Sequence, residues 1–138
     1  MLSYIKAFEI MLKAHMGQKD KAGKPYFLHP LRVSLKLKNK KAMVVALLHD
    51  VLEDSDKYVI DDFYFLDNEQ KDALSLLTHK DDDYFDYIDN IKKNNLATQV
   101  KLKDLEDNMN LKRIKFITPN DIQRTHKYIK AKKILENI

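Results

Sequence analysis

Residues 42–54 read AMVVALLHDVLED, and this stretch decides the fold that the sequence predicts. Its first seven residues, Ala42 to Leu48, are apolar and include neither glycine nor proline, which indicates a core helix that is hydrophobic nearly all round. We expect one helix from about Lys40 to Asp54, with His49 pointing inward on the stripe of buried residues. An imidazole and its neighbouring carboxylates are costly to bury without partners, and a bound metal ion is the usual remedy.

The composition indicates a globular helical protein. The chain has 138 residues, of which 44% are hydrophobic and 33% are charged. That is long enough for one domain over residues 1–138 with a real core, and too apolar for a disordered chain. Only two glycines and three prolines are present, which disfavours a turn-rich β architecture. We therefore predict an all-α fold, a helical bundle with short connections.

Cysteine content, hydropathy and charge disfavour several classes of protein. The absence of cysteine excludes disulfides and thiolate metal sites and fits a reducing compartment. Neither a signal peptide nor a membrane span is recognisable, so we expect a cytoplasmic protein without a membrane partner. The net charge of +4 is modest and its lysines are scattered, which favours a small anionic ligand over nucleic acid.

Hydrophobic periodicity and turn residues place the other elements. We predict helices at residues 2–16, 31–37, 68–78, 84–93 and 95–110, and a last helix from Thr118-Pro119 to the C-terminus. Residues 18–30 are expected to form a loop, and residues 58–66 fit either a strand or a short helix. His29 precedes Pro30 at the junction of loop and helix, where its side chain can point into a cleft or cap the helix.

The helix predicted at residues 95–110 carries a second unexpected acid. One of its stripes is formed by residues that recur every four positions, Leu96, Val100, Asp104 and Asn108. This pattern places Asp104 on the core side unless the stripe is tilted toward solvent. On the last helix, Arg124, Lys127 and Tyr128 can either hold a nucleotide or form a solvated surface.

Four motifs in a fixed order give a more specific signal. They are Ala14-His15-x-Gly17-Gln18; Lys21-x-Gly23-x-Pro25-Tyr26-x-x-His29-Pro30-Leu31-x-Val33; Ala46-Leu47-Leu48-His49-Asp50-Val51-x-Glu53-Asp54; and Lys101-Leu-x-Asp104-x-x-x-Asn108-Met109. This set of motifs resembles the HD-domain phosphohydrolases. Within that family it is most similar to the hydrolase domain of RelA/SpoT alarmone enzymes and their small single-domain relatives of the metazoan SpoT homologue type. The resemblance extends from about residue 10 to about residue 130.

The resemblance implies a site and a reaction. The implied metal ligands, for one divalent ion that is typically Mn²⁺, are His29, His49, Asp50 and Asp104. Glu53 and Asp54 would position and activate the attacking water. The implied substrate contacts are Lys21, Lys24, Asn108, Arg124, Lys127 and Tyr128. The expected reaction removes the 3′-pyrophosphate of guanosine tetra- or pentaphosphate.

Two departures from the family pattern keep alternatives open. Many relatives carry Arg-Lys where this chain has Asp20-Lys21, which weakens the expectation of guanine recognition. The family's Asp-Arg pair is Asp104-Leu105 here, so we expect a nearby ion pair to be absent. The alternatives are a phosphohydrolase of another nucleotide, such as NADPH or a nucleoside monophosphate, and a non-catalytic nucleotide-binding module. Retention of Glu53 and Asp54 argues against the binding module. The sequence is also compatible with an oligomer.

Overall fold

The computed structural model describes residues 2–137 and shows helices joined by short connections. The helices are α1 (Leu2–Ala14), α2 (Leu28–Leu35), α3 (Lys40–Leu48), α4 (Val51–Asp54), α5 (Asn68–Leu77), α6 (Tyr84–Lys92), α7 (Asn95–Asn108) and α8 (Pro119–Glu136), with 3₁₀ helices at Ile60–Asp62 and Leu111–Arg113. Residues 2–137 contain no strand, and the only extended pairing among them is a bridge between Lys19 and Pro25. The all-α prediction is confirmed.

Helix α3 is the centre of the hydrophobic core, as its apolar run predicted. It contacts α1, α2, α5 and α7, and its buried residues include Leu47 and Leu48, both with no exposed surface. Burial of a leucine side chain contributes about 1.5–3 kcal/mol to stability, so this run provides a large part of the free energy that holds the other helices against α3. Asn39 caps the helix, because its side chain accepts hydrogen bonds from the backbone N–H groups of Lys41 and Ala42.

The prediction of one continuous helix from Lys40 to Asp54 is wrong. Helix α3 ends at Leu48 and α4 begins at Val51, with a turn at the His-Asp pair between them. Both the backbone N–H and Nδ1 of His49 bond the carbonyl of Ala46, which tightens the chain there. Successive side chains on a regular helix do not face each other. The turn allows His49 Nε2 and Asp50 Oδ2 to approach to 3.2 Å.

Other boundaries shift by one or a few residues. Helix α1 ends at Ala14 rather than at residue 16, and α7 ends at Asn108 rather than at residue 110. Helix α2 begins at Leu28, before Pro30, because a proline is tolerated in the first turn where no intrahelical partner is needed. The ambiguous residues 58–66 contain the short 3₁₀ helix. No helix within residues 2–137 combines the length and apolar character needed to cross a bilayer.

Candidate active site

Three side chains from distant parts of the chain meet in the core. His29 comes from the start of α2, His49 from the turn after α3, and Asp104 from α7, and each is at most 4% exposed. Asp104 Oδ1 lies 2.8 Å from His29 Nε2 and 3.2 Å from His49 Nε2. One ligand atom from each residue lies within 4.8 Å of the others, close enough to share a metal ion.

Asp50 joins this cluster at its edge. Its Oδ2 lies 3.2 Å from His49 Nε2 and 3.6 Å from His29 Nε2. The same oxygen accepts a 2.6 Å hydrogen bond from the hydroxyl of Tyr26. Burial and the charge of Asp50 raise the pKa of Tyr26 well above its usual range, so the phenol stays a donor. The structure thus brings together all four residues that the resemblance implied as metal ligands, with Tyr26 as a hydrogen-bond donor to one of them.

Hydrogen bonds at the far side of each imidazole indicate which nitrogen is free. His49 Nδ1 lies 2.6 Å from the carbonyl oxygen of Ala46, which can only accept, so Nδ1 carries the proton. His29 Nδ1 lies 2.6 Å from Oδ2 of Asp107. Both Nε2 atoms therefore point into the cluster. Metal-bound histidines usually have their other nitrogen bonded in this way.

The electrostatics of the cluster also fit a cation. Burial alone would lower the pKa of His29, but hydrogen bonds to Asp104 and Asp107 outweigh it and raise the pKa to about 9. The pKa of His49 is raised for related reasons: Asp50 and Asp104 outweigh its burial. The neighbouring carboxylates therefore favour a positive charge at the two imidazoles. Two imidazoles and two carboxylates form a nitrogen and oxygen donor set that suits a divalent ion.

Asp104 is held by two further side chains. Lys101 Nζ donates to Oδ2 at 2.8 Å, and Asn108 Nδ2 donates to Oδ1 at 3.1 Å. Burial opposes ionisation, yet Lys101 and the histidines hold the pKa of Asp104 well below its usual range. The expectation that an ion pair is absent beside Asp104-Leu105 is wrong, because Lys101 provides one. Leu105 is fully buried instead.

The two implied catalytic acids lie on α4 beside the cluster. Glu53 and Asp54 are exposed, and Glu53 accepts a hydrogen bond from the backbone N–H of His79. Partial burial, together with the negative charge of Asp50, raises the pKa of both carboxyls above the ordinary values. A carboxylate with a raised pKa is a better proton acceptor, as a general base requires.

Two clefts adjoin the cluster on different sides. The larger has a volume of about 260 Å³ and includes His29 in its wall; the smaller, of about 180 Å³, includes Asp50, Glu53 and Asp104. Both are bordered by Tyr26, Asn108 and Tyr128. We call them the basic cleft and the acidic cleft. The basic cleft takes its name from five cationic residues, Lys19, Lys21, Arg32, Arg113 and Arg124.

The predicted substrate contacts divide between the clefts and the outer surface. Lys21, Asn108, Arg124 and Tyr128 line the basic cleft, whereas Lys24 and Lys127 line neither cleft. Lys24 is exposed, and Lys127 Nζ lies 4.4 Å from the ring centre of Tyr84. The sequence did not indicate Arg32 or Arg113. Their only sequence signal is a positive charge, which the chain carries in many places.

Acidic side chains organise the basic cleft. The buried carboxylate of Asp121 on α8 pairs with Lys21 Nζ at 3.0 Å and with Arg124, so it connects the loop before α2 to α8. Asp20 accepts hydrogen bonds from the backbone N–H groups of Ala22 and Lys24, both at 2.9 Å. Asp20 therefore shapes its own loop.

Comparisons with known proteins agree with the motifs and the fold, although no family model matches the chain. This chain is similar to two proteins named guanosine-3′,5′-bis(diphosphate) 3′-pyrophosphohydrolase. The one from Aquifex aeolicus is 46% identical over 55 residues, and the one from Borreliella burgdorferi is 47% identical over 57 residues. These alignments cover 37% and 38% of this chain. A probable enzyme of the same name from Mycoplasma genitalium is 30% identical over 122 residues, 86% of this chain.

The chain spans only 8%, 8% and 15% of the length of these three relatives. A solved structure of a metazoan ortholog of SpoT, described as hydrolysing ppGpp, superposes with a TM-score of 0.79. That match covers 99% of this chain and 87% of the other at 21% identity, so it shows a shared fold.

Proposed function

The chain has the fold and the ordered motifs of a RelA/SpoT hydrolase-like HD domain, and from that premise we propose that it hydrolyses the 3′-pyrophosphate of guanosine tetra- or pentaphosphate. The observation that carries the proposal is the cluster of His29, His49, Asp50 and Asp104. Both imidazoles of the cluster have Nδ1 bonded elsewhere and Nε2 turned inward. Glu53 lines the acidic cleft with Asp50 and Asp104, whereas Asp54, the next residue on α4, lines neither cleft.

In this proposal those four residues hold one divalent ion, and Mn²⁺ is the ion we expect. When bound, the ion supplies Lewis-acid charge that activates water and offsets the charge on phosphoryl oxygens. Tyr26, Lys101 and Asn108 keep the carboxylates of Asp50 and Asp104 in place. The ligand geometry is therefore set by the folded chain before any substrate arrives.

Glu53 and Asp54 act on the water. One of these carboxylates accepts the water's proton while the oxygen forms a bond to the phosphorus attached to the ribose 3′-oxygen. The bond between phosphorus and the 3′-oxygen breaks, pyrophosphate leaves, and the 3′-oxygen takes up a proton. General base catalysis of this kind is worth about 10²- to 10⁴-fold in rate. The hydrogen bond from His79 N–H orients Glu53 for this role.

The basic cleft receives the substrate's other charged groups. Lys21 and Arg124 lie on its walls, and Asn108 and Tyr128 stand between it and the acidic cleft. A substrate that passes these two residues reaches the metal cluster from the cationic side, which matches its own negative charge. Lys24 and Lys127 remain predicted contacts for parts of the nucleotide outside the cleft.

The direct test is turnover of guanosine tetraphosphate by the purified chain with Mn²⁺. Ion chromatography should show guanosine diphosphate and pyrophosphate in equal amounts, and a chelator should stop the reaction. Asp104→Ala should abolish both turnover and metal content. Glu106→Gln, a carboxylate two residues along the same helix and outside the clefts, should retain both.

Two other results would replace the proposed function. Release of orthophosphate from NADPH or a nucleoside monophosphate, with no turnover of guanosine tetraphosphate, would identify a different phosphohydrolase. Tight binding of the nucleotide without turnover would identify a binding module.

A further inference from the structure

Asp107 is a buried acid that neither the motifs nor the proposed chemistry accounts for. It lies on α7 three residues after Asp104, and its side chain is 1% exposed. Residues three apart on a helix share a face, so Asp107 stands beside the metal cluster. Its Oδ2 lies 2.6 Å from Nδ1 of His29, on the side of the imidazole that faces away from Asp104.

Cations from two other elements surround the carboxylate of Asp107. Arg32 on α2 binds it through both oxygens, with Nε 2.9 Å from Oδ1 and Nη2 3.0 Å from Oδ2. Arg113 Nη2 lies 3.4 Å from Oδ1 and donates to the Asp107 backbone carbonyl at 3.1 Å. Lys36 Nζ lies 3.7 Å from Oδ1. A forked arginine contact of this kind is both strong and directional.

These contacts keep Asp107 ionised and fully engaged. Arg32 donates to both oxygens of this buried side chain, and the cations of Arg113 and Lys36 lie beside Oδ1. A carboxylate paired with these cations can only accept hydrogen bonds, so His29 must donate from Nδ1. Because both oxygens already have donors, Asp107 orients its neighbour and does not itself ligate an ion.

We propose that Asp107, held in place by Arg32, is the positioning residue that fixes His29 as the Nδ1–H tautomer and directs Nε2 at the metal. The inference rests on the proposed metal site. The other ligand histidine, His49, has its Nδ1 proton fixed by the backbone carbonyl of Ala46. The Nδ1 proton of His29 is therefore held by a side chain, whereas that of His49 is held by the backbone. A substitution at Asp107 can consequently test the role proposed for it.

Asp107→Asn changes the tautomer for a definite reason. An amide has one acceptor oxygen, and the Oδ1 position accepts from Arg32 Nε and has the cations of Arg113 and Lys36 at 3.4 and 3.7 Å. The amide oxygen should take that position, which turns its NH₂ toward His29. Nδ1 must then accept, and the ring proton moves to Nε2, where it obstructs a metal ion. Loss of such an outer partner weakens metal binding about 10- to 100-fold.

The experiment combines ring ¹⁵N NMR of the metal-free and Zn²⁺-loaded chain with Mn²⁺ titration against a chelating dye. Wild-type His29 should show a protonated Nδ1 in the Zn²⁺-loaded form. In Asp107→Asn, Mn²⁺ affinity should fall about 10- to 100-fold. In the metal-free chain, at a pH where the wild-type ring is neutral, the His29 signals of this variant should shift toward the Nε2–H tautomer. Glu106→Gln removes the neighbouring charge from the same helix and should change neither quantity. Arg32→Gln leaves the carboxylate but removes its clamp, and should give a loss below about 10-fold.

The outcomes separate this inference from the proposed function. Unchanged affinity and unchanged His29 signals in a folded Asp107→Asn chain would overturn the inference, whatever the substrate. If that variant does not fold, an affinity equal to wild type in Arg32→Gln would overturn it. Failure of the wild type to bind any divalent ion would overturn the metal site and this inference together. Failure to hydrolyse guanosine tetraphosphate, with metal binding intact, would refute only the substrate.

Discussion

The hydroxyl of Tyr26 offers a clean test of how the proposed metal site is held together. It donates a 2.6 Å hydrogen bond to Oδ2 of Asp50. The ring of Tyr26 lies between those of His15 and His29, at centroid distances of 5.1 and 5.7 Å. Tyr26→Phe keeps this packing and removes only the donor. Asp50 then loses the group that holds one of its oxygens toward the histidines.

The magnitude follows from the chemistry of that bond. A hydrogen bond to a charged group contributes about 1.5–3 kcal/mol. The side chain of Asp50 is 14% exposed, so water from the acidic cleft can replace part of the lost bond. We therefore take the lower value, about 1.5 kcal/mol, which corresponds to a roughly tenfold increase in the dissociation constant for Mn²⁺.

The assay is competition for Mn²⁺ between the protein and a chelating dye at fixed pH, with calorimetry as a second measure. Tyr58→Phe is the matched control, because Tyr58 packs against the core and lines neither cleft. Its affinity should equal that of the wild type. A Tyr26→Phe affinity within about twofold of wild type, a difference below about 0.5 kcal/mol, would show that Asp50 needs no support from this hydroxyl.

Three further perturbations test the charges around the site. The pKa of His29 is raised to about 9 in the metal-free fold. Protonated His29 should therefore add about 3 kcal/mol to the free energy of unfolding below about pH 6.5, and this stability should be lost as pH rises through 9. Urea unfolding with a chelator present would measure the loss. If stability is flat over that range, His29 is not protonated in the fold. Lys101→Met removes the ammonium group that pairs with Oδ2 of the buried Asp104, and should cost about 3–5 kcal/mol in the same assay. Lys103→Met, which breaks only a 3.3 Å pair with the partly exposed Glu106, should cost at most about 1 kcal/mol, and equal losses would contradict the assignment. Arg124→Gln should raise KM for guanosine tetraphosphate about tenfold with kcat nearly unchanged, whereas a change confined to kcat would remove Arg124 from substrate binding.

Short-range pattern was enough for the elements and for the centre of the site. The apolar run Ala42–Leu48 predicted a core helix, and six of its seven residues are buried. Thr118 and Asp121 form the capping box that starts α8, as the Thr-Pro sequence predicted. The four motifs gave the cluster residues through the resemblance to a known family, because each residue lies in its own local context, such as His29 before a proline. These features depend on residues a few positions apart.

Partners across the fold were decided only by the tertiary structure. The contacts of Asp107 with His29 and Arg32 span 78 and 75 residues, and the contact of Tyr26 with Asp50 spans 24. In the sequence, Asp107 looks like an ordinary charge on a helix surface, and Lys101 is a motif residue without an assigned partner. A buried charge is stable only where neighbouring elements bring a counter-charge and hydrogen bonds, and no local pattern records which elements will pack together. The turn between α3 and α4 also depends on tertiary contacts, because it brings the consecutive side chains of His49 and Asp50 into one cluster with residues of α2 and α7.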